Sequence, residues 1–439
     1  MKVSLPYSRR KRYLTGIDWI IAALGRLTRR HTGVDNASQL VLHLDGAFDA
    51  ERFRAAVAEL SDHLPQLGGR IARDWNLAPY WQLPSSRRWR RPVVETTDIA
   101  PTDLPAALAR IANTPFPDAR THLAFHLLRM GPERRVLVMR FDHAVMDAHG
   151  AEAFLDLLRQ CGAGADARAL VAPLAVTEPA HLDHWQRKFE AGRQFVRFLR
   201  GLSSARLMVL PRPKASRGRG FRFLVVSFDE AETAAIVARA QRTAGFLMFM
   251  PYTLAAAVRI IYGLLQARNV SGDEIVVSLS TDVRTPDTAA SRVLFNHLSF
   301  LFFHVPRTLI ADFPALVASL REQMYEQVKT GFPQALHESS MLMRIVPLGV
   351  ASRALLWPLK GEMATMGFTC VGRADDTRPI LLGAEVTNLI HMPLVPTPPG
   401  LGFVVNQFRR RLNVTLAWAH GMLDDAEVDR LRTAVRETL

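Results

Sequence analysis

Apolar positions along the chain recur at two spacings, alternate residues for strands and every third or fourth residue for helices. Ile17, Ile20, Ile21, Leu24 and Leu27 share one face of a helix predicted over 13–30, with a basic rim. Gln39–Leu44 reads as a strand closed by Asp45-Gly46, and Asp49 is placed to cap a helix through Phe53, Val57 and Leu60. Pro65 and Gly68-Gly69 end that unit. Ile71–Trp75 and Tyr80–Leu83 read as a strand pair, 106–112 as a helix and His122–Leu128 as a strand. The run Arg135–Phe141 reads as a buried strand, and Ala151–Leu158 as a helix with Phe154, Leu155 and Leu158 on one face.

A break follows. Pro173 and Pro179 precede a basic amphipathic helix near 183–200, whose stripe Trp185, Phe189, Val196 and Leu199 reads as a packing face. The stretch Pro211–Gly220, rich in Pro, Gly and Ser, is the best linker in the chain. Beyond it, strand Phe221–Phe228 leads through the N-cap Asp229 into helix 230–244, then helix 252–268, strands 274–279 and 297–305, and helix 311–329. Strands near 366–371, 403–408 and 411–417 precede a helix capped by Asp424-Asp425. Both parts mix strands with helices, so the fold class is α/β (mixed α+β) in two halves, 1–175 and 221–439, joined by the basic helix and linker at 176–220.

Composition narrows the classes. With 439 residues, 49% hydrophobic and 22% charged, the chain suits a two-domain globular protein. Cys161 and Cys370 are too few for a disulfide or metal framework and read as core thiols, which fits a reducing, cytoplasmic home. The longest apolar stretch, Phe246–Val258, holds Pro251 and ends at Arg259, so a membrane-spanning helix is not expected. Ser8–Leu14 faintly resembles a twin-arginine export signal, but Asp18 interrupts the apolar region such a signal needs.

The net charge is +14, and much of the excess is local. From Arg187 to Arg222 there are eleven basic residues and one acid, Glu190. Such a block attracts an acidic carrier protein, an anionic membrane face or a phosphorylated cofactor, or is a solvated surface. It carries no zinc spacing and no pattern of aromatics among its basic residues that resembles an RNA-binding motif, so nucleic acid is not expected as a partner. No His-Glu-x-x-His spacing calls for a metal, and no Gly-x-Ser-x-Gly elbow suggests a serine hydrolase.

The chemistry concentrates in His143-Ala-Val-Met-Asp147-Ala-His149-Gly150, set between a strand and a helix. His143 reads either as a general base or as a histidine satisfying backbone groups at a strand end; Asp147 reads as its structural partner or as a helix N-cap. In this setting the string resembles the signature of the acyltransferase superfamily that contains chloramphenicol acetyltransferase, peptide-synthetase condensation domains, plant-type acyltransferases, wax-ester synthases and alcohol acyltransferases. Ser38–Gly46 with Leu64–Ile71, Ser280–Arg284 with Leu294–Ser299, and Leu412–Leu416 with Gly421–Asp425 resemble further family segments, so the likeness spans the chain.

The resemblance implies two similar halves facing a central tunnel. His143 stands mid-tunnel as general base, Asp147 turns away to pair with an arginine, here Arg284, and Asn296 lies near the base. It implies no permanently bound cofactor: the donor is acyl-CoA or a phosphopantetheinyl carrier protein, and the acceptor an alcohol or amine. Asp142 stands where the family often has a first histidine. Ala148 replaces the usual glycine, which is displaced to Gly150. With Asn296, these three are expected to line the substrate tunnel, where Ala148 narrows the donor channel or shifts the loop. His149 is expected on the helix surface. A binding or docking protein of the same fold is the alternative.

Overall fold

The computed structural model describes residues 11–84, 91–174, 185–202, 206–212, 220–374 and 376–439. Ser8–Arg10 and residues 213–219 of the linker, with Lys214, Arg217 and Arg219, lie outside them.

Among the described residues three sheets carry fifteen strands. The first main sheet holds β2 (Ala37–Asp45), β5 (Val93–Asp98), β6 (Leu123–Arg129), β7 (Arg134–Asp142), β12 (Ile380–Leu381) and β13 (Ala384–Pro393), in the order β12-β13-β2-β7-β6-β5. The second holds β8 (Phe221–Phe228), β9 (Glu274–Asp282), β10 (Leu298–Pro306), β11 (Met366–Arg373), β14 (Leu401–Phe408) and β15 (Arg411–Ala419), in the order β10-β9-β11-β14-β15-β8. A small outer sheet joins β1 (Lys11–Tyr13), β4 (Pro79–Gln82) and β3 (Arg70–Arg73).

Helices cover the main sheets. In the first half they are α1 (Gly16–Thr32), α2 (Ala50–His63), α3 (Leu104–Asn113), α4 (Ala148–Gly162) and α5 (Ala167–Val171), followed by the connecting α6 (Trp185–Leu202). The second half carries α7 (Glu230–Ala244), α8 (Phe249–Ala267), α9 (Pro286–Ala289), α10 (Phe313–Lys329), α11 (Phe332–Met343), α12 (Leu348–Ala354) and α13 (Asp425–Thr438). Side-chain carboxylates of Asp49, Asp229 and Asp424 cap α2, α7 and α13 as the sequence predicts, each accepting a backbone N–H that the helix leaves orphaned. The larger core lies between the second sheet and α8, whose Leu254, Val258, Ile261 and Leu265 are fully enclosed. Among the described residues no single helix is long and apolar enough to cross a membrane.

The halves exchange structure. β13, from the C-terminal part of the chain, pairs antiparallel with β2 in the first sheet. Two buried asparagines of the second sheet reach across to it: the Asn406 amide donates to the Leu389 carbonyl at 2.8 Å, and that of Asn413 to Asn388 Oδ1 at 2.9 Å. A split at residue 221 therefore describes the chain order, whereas the first sheet is completed only by residues 380–393.

The helix α6 turns the other way from expectation. Trp185, Phe189 and Val196 are exposed, and the Leu199 side chain lies outside the described residues. Ala191, Phe195 and Phe198 face inward instead, with Phe198 4.6 Å from the Phe332 ring on α11. Several of the basic residues are paired rather than free: Arg212 with Glu362 at 2.6 Å, Arg222 with Asp425 at 2.7 Å, and Arg187 with Glu338.

Candidate active site

His143 follows the last residue of β7, and its backbone N–H donates to the Asn36 carbonyl at 2.9 Å. Its ring Nδ1 lies 2.9 Å from Asn296 Oδ1. The same asparagine points its Nδ2 at the His143 carbonyl (2.9 Å) and at Asp18 Oδ1 (3.3 Å), neither of which can donate. The amide is thus oriented with its oxygen toward the imidazole, so Nδ1 carries the proton and Nε2 keeps a lone pair. Among the described residues Nε2 has no protein partner.

Asp18 anchors this chain of contacts. It forms the capping box of α1 with Thr15, accepts the Asn296 N–H at 3.2 Å, and pairs with buried Arg12 at 3.1 Å. Burial pushes the Asp18 carboxyl up, but the Arg12 charge and the cap hydrogen bonds outweigh it and hold it below the usual carboxylate range. Neither Arg12 nor Asp18 is marked by a motif. The signal in the sequence is an aspartate next to Ile17 on an otherwise apolar helix face.

Asp147 is both things the sequence leaves open. It caps α4, accepting the Gly150 N–H at 2.9 Å, and it pairs with Arg284 at 2.8 Å. Its other oxygen accepts the His297 N–H at 2.9 Å. Arg284 is shared with Asp282 at 3.0 Å and donates to the Arg292 carbonyl at 2.9 Å. Burial again raises the Asp147 carboxyl and Arg284 more than offsets it, so the group stays ionised. The pair joins the α4 turn to the β9–β10 connection, where Met146 bridges Phe295.

His143, Asp147, Ala148, Arg284, His149, His297 and His391 line one cavity of about 100 Å³ between the sheets. Three expected tunnel residues do not. Asn296 is buried behind the imidazole, because its amide is used up on His143 and Asp18. Gly150 is buried against the second half: a Cβ there would stand 2.3 Å from the Val293 carbonyl oxygen, so the displaced glycine serves close packing. Asp142 faces a separate cavity of about 450 Å³, beside Ala144 and Arg26, Arg29 and Arg30 of α1. There it accepts from His122 Nδ1 at 3.1 Å, while His122 Nε2 meets the Gly69 carbonyl at 2.9 Å. Two acceptors require two N–H groups, so His122 is held protonated. Burial opposes that charge, and Asp142 outweighs the penalty to raise the histidine's pKa.

His149 also departs from expectation: it faces the first cavity. Its Nδ1 lies 3.5 Å from Glu152 and its Nε2 3.8 Å from Asp282, while His391 Nε2 meets the other Glu152 oxygen at 2.7 Å. The Glu152 hydrogen bond raises the His149 pKa against burial. Burial pushes Glu152 up, but the two imidazoles hold it at about 2.

No protein-family model and no curated protein matches the sequence. Solved structures do match over nearly its whole length. The TRI3 trichothecene 15-O-acetyltransferase of Fusarium sporotrichioides is 15% identical, covers 99% of this chain and 97% of its own, and superposes with a TM-score of 0.71. The chain has the two-lobed condensation-domain fold. The first condensation domain of the calcium-dependent antibiotic synthetase, bound to a substrate analogue, gives 16% identity, 98% and 96% coverage and a TM-score of 0.67. The X-domain from teicoplanin biosynthesis shares this two-lobed architecture at 18% identity, with 99% and 96% coverage and a TM-score of 0.60.

Proposed function

We propose that this chain is an acyltransferase that moves an acyl group from a thioester, carried by coenzyme A or a phosphopantetheinyl carrier protein, to a hydroxyl or amine. The observation that carries the reading is the fixed tautomer of His143, with Nδ1–H held by Asn296 and Nε2 left with its lone pair. Nε2 takes the acceptor's proton as its oxygen or nitrogen attacks the thioester carbonyl. The new C–O or C–N bond forms, the C–S bond breaks, and the imidazolium returns its proton to the departing thiolate. Asn296 Oδ1 faces the ring N–H and steadies the transient cation. Asp147 and Arg284 touch no reacting atom; they position the loop that carries the base. The +14 charge supports an acidic carrier partner, and the exposed Trp185, Phe189 and Val196 support peripheral contact with an anionic membrane.

Purified protein is tested with acyl-CoA and acyl-carrier donors against a panel of alcohols and amines, with free thiol as readout. His143→Ala is expected to lower turnover by about 100- to 10,000-fold, the span that a general base contributes, with the fold retained. A variant that matches wild type removes the assignment. A second reading, a binding or docking protein of this fold, is favoured by Ala148, which lines the small cavity in place of the glycine. Binding of thioesters without thiol release from any pair selects it.

A further inference from the structure

The cavity around His143 is small, and one residue of its wall is shared with a second cavity. That residue is Cys370 on β11, and the second cavity, of about 360 Å³, lies on the helix side of the same sheet. The shared residue lies where β11 and β14 lose register: Cys370 pairs with Val405, but Gly372, two residues on, pairs with Asn406. Such a bulge leaves one residue unpaired, disrupts the ladder locally and bends the strand. Burial pushes the Cys370 thiol up to about 11, so the group at the junction is small and uncharged.

The second cavity is largely apolar. Val237 and Ala240 of α7, Met248, Phe249 and Met250 at the start of α8, and Val405 form its apolar wall, and Gln241, Arg373, Asn406 and Gln407 also border it. Methionines make an adaptable lining that suits a flexible occupant. At its lip Phe246 and Leu247 are 75% and 81% exposed, and Leu247 holds a φ of +63°. Two large apolar side chains are thus turned to water at the mouth of an apolar cavity, one of them in a left-handed backbone.

We propose that an unbranched alkyl chain runs from the His143 cavity past Cys370 into the chamber under residues 246–250, which makes this a site for medium- or long-chain substrates. The inference rests on the acyltransferase reading and names its substrate class. The chain belongs either to the donor's acyl group or to the acceptor.

The test has two arms and one readout that needs no turnover. Acetyl- to dodecanoyl-CoA are compared against a fixed short alcohol and a fixed short amine, and ethanol to dodecanol against acetyl-CoA. In one arm kcat/KM is expected to rise at least about tenfold from two to eight carbons, as apolar pockets discriminate by added methylenes. A rise in the first arm assigns the chamber to the donor, in the second to the acceptor. In Cys370→Phe the ratio of eight- to two-carbon kcat/KM falls back at least about tenfold, and Phe246→Asp, at the exposed lip, lowers it in the same direction. Independently, a fluorescent twelve-carbon fatty acid binds wild type and binds both variants at least about tenfold more weakly. Preference for two-carbon substrates in both arms, with fatty-acid binding unchanged by either variant, overturns the chamber. Fatty-acid binding of the expected pattern without thiol release from any pair overturns the acyltransferase reading and leaves the chamber standing.

Discussion

Two buried Asp–Arg pairs hold the His143 segment, and they act on different parts of it. Asp147–Arg284 spends its oxygens on backbone N–H groups of Gly150 and His297 and makes no contact with the imidazole. Asp18–Arg12 reaches the ring through one intermediate, Asn296. The first pair sets where the loop lies between the lobes; the second sets which ring nitrogen carries the proton. Equal chemistry and similar burial thus produce a cross-lobe tie in one case and a tautomer lock in the other. A motif marks only the tie.

The largest effect separates the two pairs by stability. Arg284→Met leaves Asp147 buried without its counter-charge, and a loss of about 3–5 kcal/mol is expected in denaturant unfolding. Adding Asp147→Asn removes the stranded charge and should recover part of that loss. No recovery in the double variant would show that Arg284 acts through Asp282 and the Arg292 carbonyl instead.

A smaller effect tests the tautomer lock. Asn296→Ala removes the acceptor for the His143 Nδ1–H, so the imidazole populates both neutral tautomers and kcat is expected to fall about 10- to 100-fold, part of what a general base contributes. Asn296 is a positioning residue, so the decisive readout is the nitrogen NMR spectrum of the ring. Wild type shows Nδ1 protonated and Nε2 bare; the variant shows a mixture. The Arg284→Met spectrum should keep the wild-type pattern in the folded fraction. If Asn296→Ala leaves the ring signals unchanged, the lock is refuted.

Much of this was legible in the sequence, for identifiable reasons. The strand–turn–helix around His143 is local, so periodicity and the Asp147 cap sufficed, and the resemblance supplied Arg284, 137 residues away. β13 escaped because polar Glu385, Thr387, Asn388 and His391 interrupt its apolar run and its partner, β2, lies more than 300 residues upstream. The inward face of α6 differs from the expected one because its aromatic positions offer two stripes, and only the position of α11 decides between them. Its displacement from the family pattern points Gly150 to the tunnel, whereas the constraint on it is the Val293 carbonyl, which sequence does not display.

The smallest effect distinguishes both buried pairs from the cluster in the cavity. Asp18, Asp147 and Glu152 are all held below their ordinary values, so each contributes stability that is present at neutral pH and lost as pH falls through the folded value; for Glu152 that window runs from its ordinary 4.5 down to about 2. His149 has the opposite sign. Its pKa is raised by Glu152, with Asp282 and Asp147 adding to it, while Arg284 stands on the far side of Asp282 and His391 competes for Glu152. Its contribution is full below the ordinary 6.5 and is lost as pH rises through the raised value. The stability advantage of wild type over His149→Asn is therefore expected to shrink as pH rises above 6.5, so the slope of unfolding free energy against pH differs between the two. The side chain is partly exposed to water, so the change is modest beside that of Arg284→Met. An unchanged slope in His149→Asn would mean that Glu152 is held by His391 alone and that His149 faces the cavity without being charged in it.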